Sequence, residues 1–439
     1  MTVFFDRVDR RLAGSLSTQR RIWLQTPRGL ITGFIAIHAI FLVALLPVIL
    51  TGHELGDLAL YKTWANEGLG FGLWQGIDME WVYPIGALVP IVFAALGGPF
   101  LYQLLWFLLT TALNAVAVGA LTNWGRNTKG YTGAWWWLVF SFVLSPVGLL
   151  RLEGITAPLV ILALMLVARR PVVASVILTI ATWIKVWPAA VFLAVVVASK
   201  RRISIILAGI AVSAGFVVFV WAAGGIRFIA GFITMQSDRA LQLEAPITTP
   251  WVWLAAFGHN DTYVYQNYAV ATREVAGPGT DIAAAVMTPL MFIAVAGVLV
   301  LMLVANRRAS DKTDIMLVGA LALSSAFVVF NKVGSPQYML WIAPIVAVGV
   351  AHNWQRWRSP AYVVLAIGVI TTLIFPVFYL PLVDGDPFAM VLLTVRNVLL
   401  VVVFGWSVRA LWRLLQPQPA EQSALQGRQA YASGAVTTG

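Results

Sequence analysis

Residues 30–50 read LITGFIAIHAIFLVALLPVIL, an unbroken run that contains no Asp, Glu, Lys or Arg. About 20 apolar residues in helical form span the hydrocarbon of a bilayer, so this run predicts a transmembrane helix. Arg7, Arg10, Arg11, Arg20, Arg21 and Arg28 precede it. The run is too long for a signal-peptide core and carries no small-residue cleavage site, which makes it an uncleaved first span. Runs of the same kind recur along the chain. With 60% hydrophobic and 11% charged residues over 439 positions, there is too little polar surface to cover a soluble globule of this size.

Twelve apolar segments emerge: 30–50, 100–121, 131–149, 156–168, 172–184, 187–199, 203–223, 282–305, 315–330, 338–351, 361–380 and 390–412. The expected fold is an all-α polytopic membrane protein with about twelve crossings and no large soluble domain. Segments 156–168, 172–184, 187–199 and 338–351 are short for lone crossings and predict broken or re-entrant helices lining a cavity. Segment 83–98 begins Tyr83-Pro84, ends Gly97-Gly98-Pro99 and stands directly before a full span, so it reads as a short helix in the outer leaflet. The division that follows is a cytoplasmic segment 1–28, a membrane domain 29–415 and a disordered cytoplasmic tail 416–439.

The net charge of +11 is a topology signal rather than a nucleic-acid footprint. Arg169-Arg170, Lys200-Arg201-Arg202, Arg307-Arg308 and Arg356 with Arg358 join the N-terminal arginines on one side, as the positive-inside rule requires of cytoplasmic loops. Both termini are then inside, and the long loops 51–82 and 224–281 face outward. Contact with anionic lipid is a secondary consequence. The absence of cysteine removes disulfides and thiolate chemistry. His38, His53, His259 and His352 show no metal-ligand spacing, and no Walker loop, dinucleotide glycine pattern or nucleophile elbow occurs.

Against this background, ionisable residues on the outer side stand out. Asp57, Lys185, Asp238-Arg239 with Glu244, Lys332, and Arg151 with Glu153 all fall there. Charge at a membrane interface needs water, a counter-charge or a polar ligand. Asp57 follows the first span closely, with Tyr61 four residues on; a half-desolvated carboxylate there suits a general base, while a helix cap or a solvated loop acid is the ordinary alternative. Lys185 and Lys332 lie where cations are otherwise scarce, and a phosphate or a lipid headgroup would each satisfy them. Gly334 and Pro336 keep the Lys332 backbone out of a plain helix, which favours a ligand. Arg239, Gln242 and Glu244 are spaced to meet on a helix, either as a phosphate and sugar clamp or as an intrahelical ion pair. Trp187, Trp251 and Trp253 are the tryptophans nearest these groups; most of the nineteen belong to interfacial belts.

The residues Gly56-Asp57, Tyr83-Pro84, Lys185-Val186-Trp187-Pro188, the Arg239-to-Glu244 stretch and Asn331-Lys332-Val333-Gly334-Ser335-Pro336-Gln337-Tyr338 resemble GT-C glycosyltransferases that use polyprenyl-phosphate sugars. The resemblance is nearest to bacterial family 87, which includes α-mannosyltransferases and arabinosyltransferases, and it runs from about Leu30 to about Leu380. It implies a GT-C-type helical fold and an inverting transfer on the outer face of the cytoplasmic membrane. A polyprenyl-phosphate sugar, most readily mannose, would be the donor, and a lipid-linked or glycan hydroxyl the acceptor. By the same resemblance Asp57 is the catalytic base; Lys332, Arg239 and Lys185 hold the donor phosphate; and Tyr61, Tyr83, Glu153, Gln242, Glu244, Gln337 and Tyr338 line the substrate site. Ala59 stands where several relatives carry a second acid, so no metal or other cofactor is assigned. Arabinose transfer is the same-class alternative. A flippase for a polyprenyl-linked substrate and a non-catalytic scaffold are the alternatives of other classes; the first would need charges reachable from both sides.

The topology has a direct check. With no native cysteine, Asn66→Cys and Asn267→Cys are expected to react with an impermeant thiol reagent in intact cells, and Asn127→Cys only after permeabilisation. Equal labelling of Asn127→Cys from outside would reverse the orientation.

Overall fold

The computed structural model describes residues 17–416 except 238, 260, 269–271 and 309–310. Arg7, Arg10, Arg11, Asp238 and the tail from 417 onward lie outside the described residues. The chain is an all-α polytopic membrane protein, and its single sheet among the described residues is a two-stranded hairpin. All twelve apolar segments expected from the sequence are helical. Among the described residues, seven helices are long and apolar enough to cross a bilayer: Pro27–Leu50, Tyr102–Leu121, Arg202–Ala222, Thr280–Arg308, Lys312–Val329, Trp354–Val377 and Pro387–Arg413.

Local chemistry sets where these helices begin. Thr26 caps Pro27–Leu50, its hydroxyl accepting from the Gly29 amide at 3.1 Å, with Pro27 at the first helical position. Asp386 caps Pro387–Arg413 in the same manner through the Ala389 amide. Burial then sorts the long helices. Only 17% of the apolar window is buried in Arg202–Ala222 and in Thr280–Arg308, which face lipid, whereas 83% is buried in Lys312–Val329. A helix apolar on every side is stable at the centre of a bundle. Lys312–Val329 is that pillar, packed against Pro188–Ala198 and Pro387–Arg413, and it delivers Phe330, Asn331 and Lys332 at its end.

The short helices Glu153–Leu166, Pro171–Ile184 and Pro188–Ala198 reach about 16–21 Å at 1.5 Å per residue, short of a hydrocarbon layer of about 30 Å. They pack on one another and on Tyr102–Leu121, Arg202–Ala222 and the pillar. Their irregular ends are thereby covered by protein, as the membrane interior demands. Segment 83–98 is the short element expected: a 3-10 turn Ile85–Ala87 running into helix Leu88–Ala95.

Three expectations need correction. The loop 51–82 holds a 14-residue helix, Leu58–Phe71. The loop 224–281 is structured, with 3-10 turns Ile226–Phe228 and Pro246–Thr248, helices Gly231–Ser237 and Thr249–Ala256, and strands β1 (Tyr263–Asn267) and β2 (Thr272–Ala276), which pair antiparallel with Tyr263 opposite Ala276. Residues 239–245 are not helical, so Arg239, Gln242 and Glu244 do not share a helix face. Their backbone instead pairs with β2: Leu243 donates to the Arg273 carbonyl at 2.9 Å and Val275 to the Leu241 carbonyl at 2.9 Å. The segment 338–351 is broken, as expected: a 3-10 helix, Pro336–Trp341, precedes helix Ala343–His352.

Close helix packing needs a small residue between Gly130–Val143 and Ala343–His352. A Cβ on Gly133 would meet the Ala347 carbonyl oxygen at 2.6 Å and the Ala351 amide at 2.9 Å, both backbone atoms that cannot rotate away. Gly133→Ala is therefore expected to destabilise by about 1–3 kcal/mol, read as a lowered thermal midpoint in detergent. Gly215→Ala, with nothing within 4 Å of the added carbon, is expected to leave the midpoint unchanged or slightly raised.

Candidate active site

Asp57 stands at the N-cap position of helix Leu58–Phe71, yet its side chain makes no cap hydrogen bond. Its Oδ2 accepts from Arg151 Nη1 at 2.5 Å across 94 residues of sequence. Arg151 sits in the turn between Gly130–Val143 and Glu153–Leu166. Glu153 opens the latter helix, where the dipole favours a negative charge, and is fully buried. Its Oε1 faces Lys185 Nζ at 3.3 Å and accepts from Trp341 Nε1 at 3.4 Å, while Oε2 is buried without a partner among the described residues. Lys185 leaves the end of Pro171–Ile184 in an extended conformation and lies 4.2 Å over the Tyr83 ring. The first wall is thus two ion pairs, Asp57–Arg151 and Glu153–Lys185, backed by an aromatic cluster of Tyr61, Trp64, Trp81, Tyr83 and Trp106.

The second wall is built from the outer loop and the strap after the pillar. The Gln242 amide donates to the Lys332 carbonyl at 3.0 Å, and Gln242 Oε1 accepts from the Gly334 amide at 3.1 Å. A Cβ on Gly334 would lie 2.5 Å from the Ala245 amide nitrogen. Only glycine lets the two backbones approach so closely. Lys332 is held in this strap at 7% exposure. Arg239 donates to Thr272 Oγ1 at 3.4 Å, and its Nε is buried without a partner among the described residues. Glu244 is buried against Arg396 of helix Pro387–Arg413: Nη1 meets Oε1 at 3.3 Å, Nη2 donates to the Glu244 carbonyl, and Asn397 braces the guanidinium at 2.9 Å. Tyr338 stacks on Trp341 with centroids 3.8 Å apart and feels the charges of both Lys185 and Arg239, so it joins the two walls. Gln337 is buried beside it with Oε1 unpartnered among the described residues.

Electrostatics follow from burial and these pairs. Burial raises the Asp57 pKa above the usual carboxylate range, with Arg151 and Lys185 pulling it back. Glu244 is likewise raised by burial against the opposing pull of Arg396 and Arg151. Burial works against the charge on Arg151, but Asp57, Tyr61 and Glu153 outweigh it and raise its pKa. The same balance, led among the charges by Glu153, raises that of Lys185. Both bases stay cationic.

Asp238 lies outside the described residues; the other charged residues that the sequence singled out are described, and Asp57 with Arg151, Glu153 with Lys185, and the Arg239-to-Glu244 stretch with the Lys332 strap are brought into contact. Trp187 stacks at 6.4 Å on Trp341 and so belongs to the site's floor, whereas Trp251 and Trp253 pack under the hairpin. Among the described residues, no hydrogen bond or ion pair joins His53 to Asp57. Arg151 as the partner of Asp57, Trp341 and Arg396 were not assigned roles. Arg396 had a legible signal, a charge inside the last apolar run. Helices Pro171–Ile184, Pro188–Ala198 and Arg202–Ala222 form an open apolar groove of about 570 Å³ that reaches the end of Pro171–Ile184 leading into Lys185 and is lined by Thr179, Trp183, Phe192, Gly209, Ile210 and Val217. Asp311, Asp314 and His352 also come within 4.8 Å of one another, but at the opposite end of the pillar, about 27 Å away by helix rise, where Arg356 pairs with Asp314 at 2.5 Å.

A polytopic membrane protein with a buried, charge-paired site between its short helices and its outer loop is the class that this geometry defines. Residues 81–272 match the model of Glycosyltransferase family 87, the family that the motifs resemble. The matched span carries Arg151, Glu153, Lys185, Arg239 and Glu244. No curated protein matches the chain. Among solved structures, ArnT from Cupriavidus metallidurans bound to undecaprenyl phosphate is 15% identical, covering 90% of this chain and 79% of that one at a TM-score of 0.43. The same protein in the apo state is 14% identical, covering 89% and 78% at 0.42.

The Glu244–Arg396 pair yields a stability test. Arg396→Met leaves Glu244 buried and uncompensated, a loss of about 3–5 kcal/mol. Thermal unfolding of Arg396→Met together with Glu244→Gln is expected to recover part of that loss. If the double variant is no more stable than the single, the pair is not coupled.

Proposed function

We propose that this chain is an inverting membrane glycosyltransferase that transfers a sugar, mannose in the first instance, from a polyprenyl-phosphate donor. The acceptor is a lipid-linked or glycan hydroxyl at the outer face of the cytoplasmic membrane. The observation that carries this reading is the placement of Asp57 beside Arg151, within a site whose other cations, Lys185, Arg239 and Lys332, come from three separate segments. The family 87 match over residues 81–272 supports the reaction class. Residues 29–415 form the catalytic unit in this reading, with both ends of the chain cytoplasmic.

In the transfer, the acceptor oxygen forms a bond to the anomeric carbon while its proton passes to an Asp57 carboxylate oxygen. The bond between that carbon and the phosphate oxygen breaks, and its electron pair leaves with the polyprenyl phosphate. Developing charge on the phosphate is what preorganised cations stabilise, the role given to Lys332, Arg239 and Lys185. Tyr61, Tyr83, Glu153, Gln242, Glu244, Gln337 and Tyr338 shape the sugar and acceptor space. The apolar groove beside Lys185 accommodates the polyprenyl tail. No cofactor is invoked.

The test is transfer itself. Purified protein in lipid nanodiscs is given radiolabelled polyprenyl-phosphate mannose, or the arabinose donor, with a membrane-lipid extract as acceptor. Label is expected in product, and Asp57→Asn is expected to lower turnover by about 10²–10⁴ with donor binding retained. Because burial raises the Asp57 pKa, the base is lost as pH falls through that raised value. The acid limb of kcat/KM is then expected above the ordinary aspartate value of about 3.9. No transfer from either donor, or full activity in Asp57→Asn, sinks the reading.

A further inference from the structure

Among the described residues, Arg151 is the cation of the site that hydrogen-bonds the residue assigned as base. Lys185 is committed to Glu153 and to the Tyr83 face. Arg396 is committed to Glu244 and Asn397. The guanidinium of Arg151 makes a single hydrogen bond among the described residues, Nη1 to Asp57 Oδ2. A guanidinium has five donors, so most of those on Arg151 are left without a protein acceptor among the described residues, on a side chain that is 15% exposed. Its charge pulls down the pKa of Asp57 in one wall and of Glu244 in the other.

The partner of that single bond is the residue assigned as base. A carboxylate whose oxygen is held at 2.5 Å by an arginine has a lone pair committed and is a weaker proton acceptor than the same buried carboxylate without that partner. The donor's phosphodiester carries one negative charge, which becomes two as the sugar leaves. A planar fork with free donors matches a phosphate better than it matches one carboxylate oxygen.

We propose that Arg151 is shared between Asp57 and the donor phosphate: it masks Asp57 while the site is empty and turns its fork to the phosphate when donor binds. This rests on the polyprenyl-phosphate reading given above. The base becomes competent only in the loaded site, and becomes more so as charge builds on the leaving group. Arg151 thereby couples occupancy at the phosphate position to basicity at Asp57, a link that neither residue supplies alone.

The experiment uses polyprenyl phosphate without a sugar, so that it does not depend on transfer. A hydrophobic carbodiimide modifies protonated carboxyl groups; its addition at Asp57 is quantified by mass spectrometry with and without the lipid, and lipid binding is measured in parallel. In the wild-type chain, the lipid is expected to draw Arg151 away and raise labelling of Asp57 several-fold. Arg151→Gln is expected to label at the raised level without lipid and to bind the lipid about tenfold or more weakly. Arg151→Lys, which keeps the charge but not the fork, is expected to fall between. In transfer assays the acid limb of kcat/KM moves to higher pH in Arg151→Gln, since the group that lowers the Asp57 pKa is gone. A purely structural arginine would not move that limb. If the wild-type chain binds the lipid while Asp57 labelling stays constant, or Arg151→Gln binds it as tightly as wild type, the shared-arginine inference is overturned and the transferase reading stands. If the wild-type chain binds no polyprenyl phosphate, both are overturned. The wild-type comparison needs no variant, so a misfolded Arg151→Gln leaves the test decisive.

Discussion

A charge taken out of water beside a bilayer has to face its opposite, and the architecture around the site is organised by that requirement. Asp57 faces Arg151, Glu153 faces Lys185 and Glu244 faces Arg396. Each pair joins segments far apart in the chain: the first outer loop to the turn before a short helix, that helix to the end of the next, and the long outer loop to the last span. Such pairs are weak sources of net stability but strong constraints on arrangement, because separating one leaves a buried charge alone. Register and chemistry are therefore specified by the same contacts.

The pillar Lys312–Val329 supplies the other fixed reference. It is buried on every side, so it has one position in the bundle, and its end hands the strap 331–334 to the outer loop. The loop answers on both of its edges: residues 241–243 pair with β2 on one side, and Gln242 pairs with the strap on the other. A segment with no helix of its own is thus held by backbone hydrogen bonds on both edges and by burial of Leu241, Leu243 and Ala245, which positions Arg239 and Glu244.

What the sequence displayed and what it hid divide along the range of the interactions. The twelve helical segments were visible because hydrocarbon burial demands long uncharged runs, a local property. The charged clusters were visible because charge is scarce in such a chain. Helix Leu58–Phe71 is hard to read from the sequence because Lys62, Asn66 and Glu67 with Gly68 and Gly70 give it the composition of a loop. The spacing of Arg239, Gln242 and Glu244 pointed to a helix, but pairing with β2, some thirty residues on, won instead. No local pattern announces that Asp57 meets Arg151, or that His352 approaches Asp311 and Asp314, since those meetings depend on how helices stack. Arg396 was a different kind of miss: a lone arginine in an apolar run is itself the signal that a buried acid waits opposite.

The groove beside Lys185 is walled on one side by Arg202–Ala222, a helix that is mostly bare of protein contacts. A long apolar chain lying there has the hydrocarbon of the bilayer, not water, as its way out. Its arrival and departure are then diffusion in two dimensions through a viscous medium, and the pace of exchange is set by the acyl chains around the protein. Cooling a membrane through its ordering transition would slow such exchange far more steeply than any bond-making step at the charged end, so the lipid phase becomes a kinetic partner of the site.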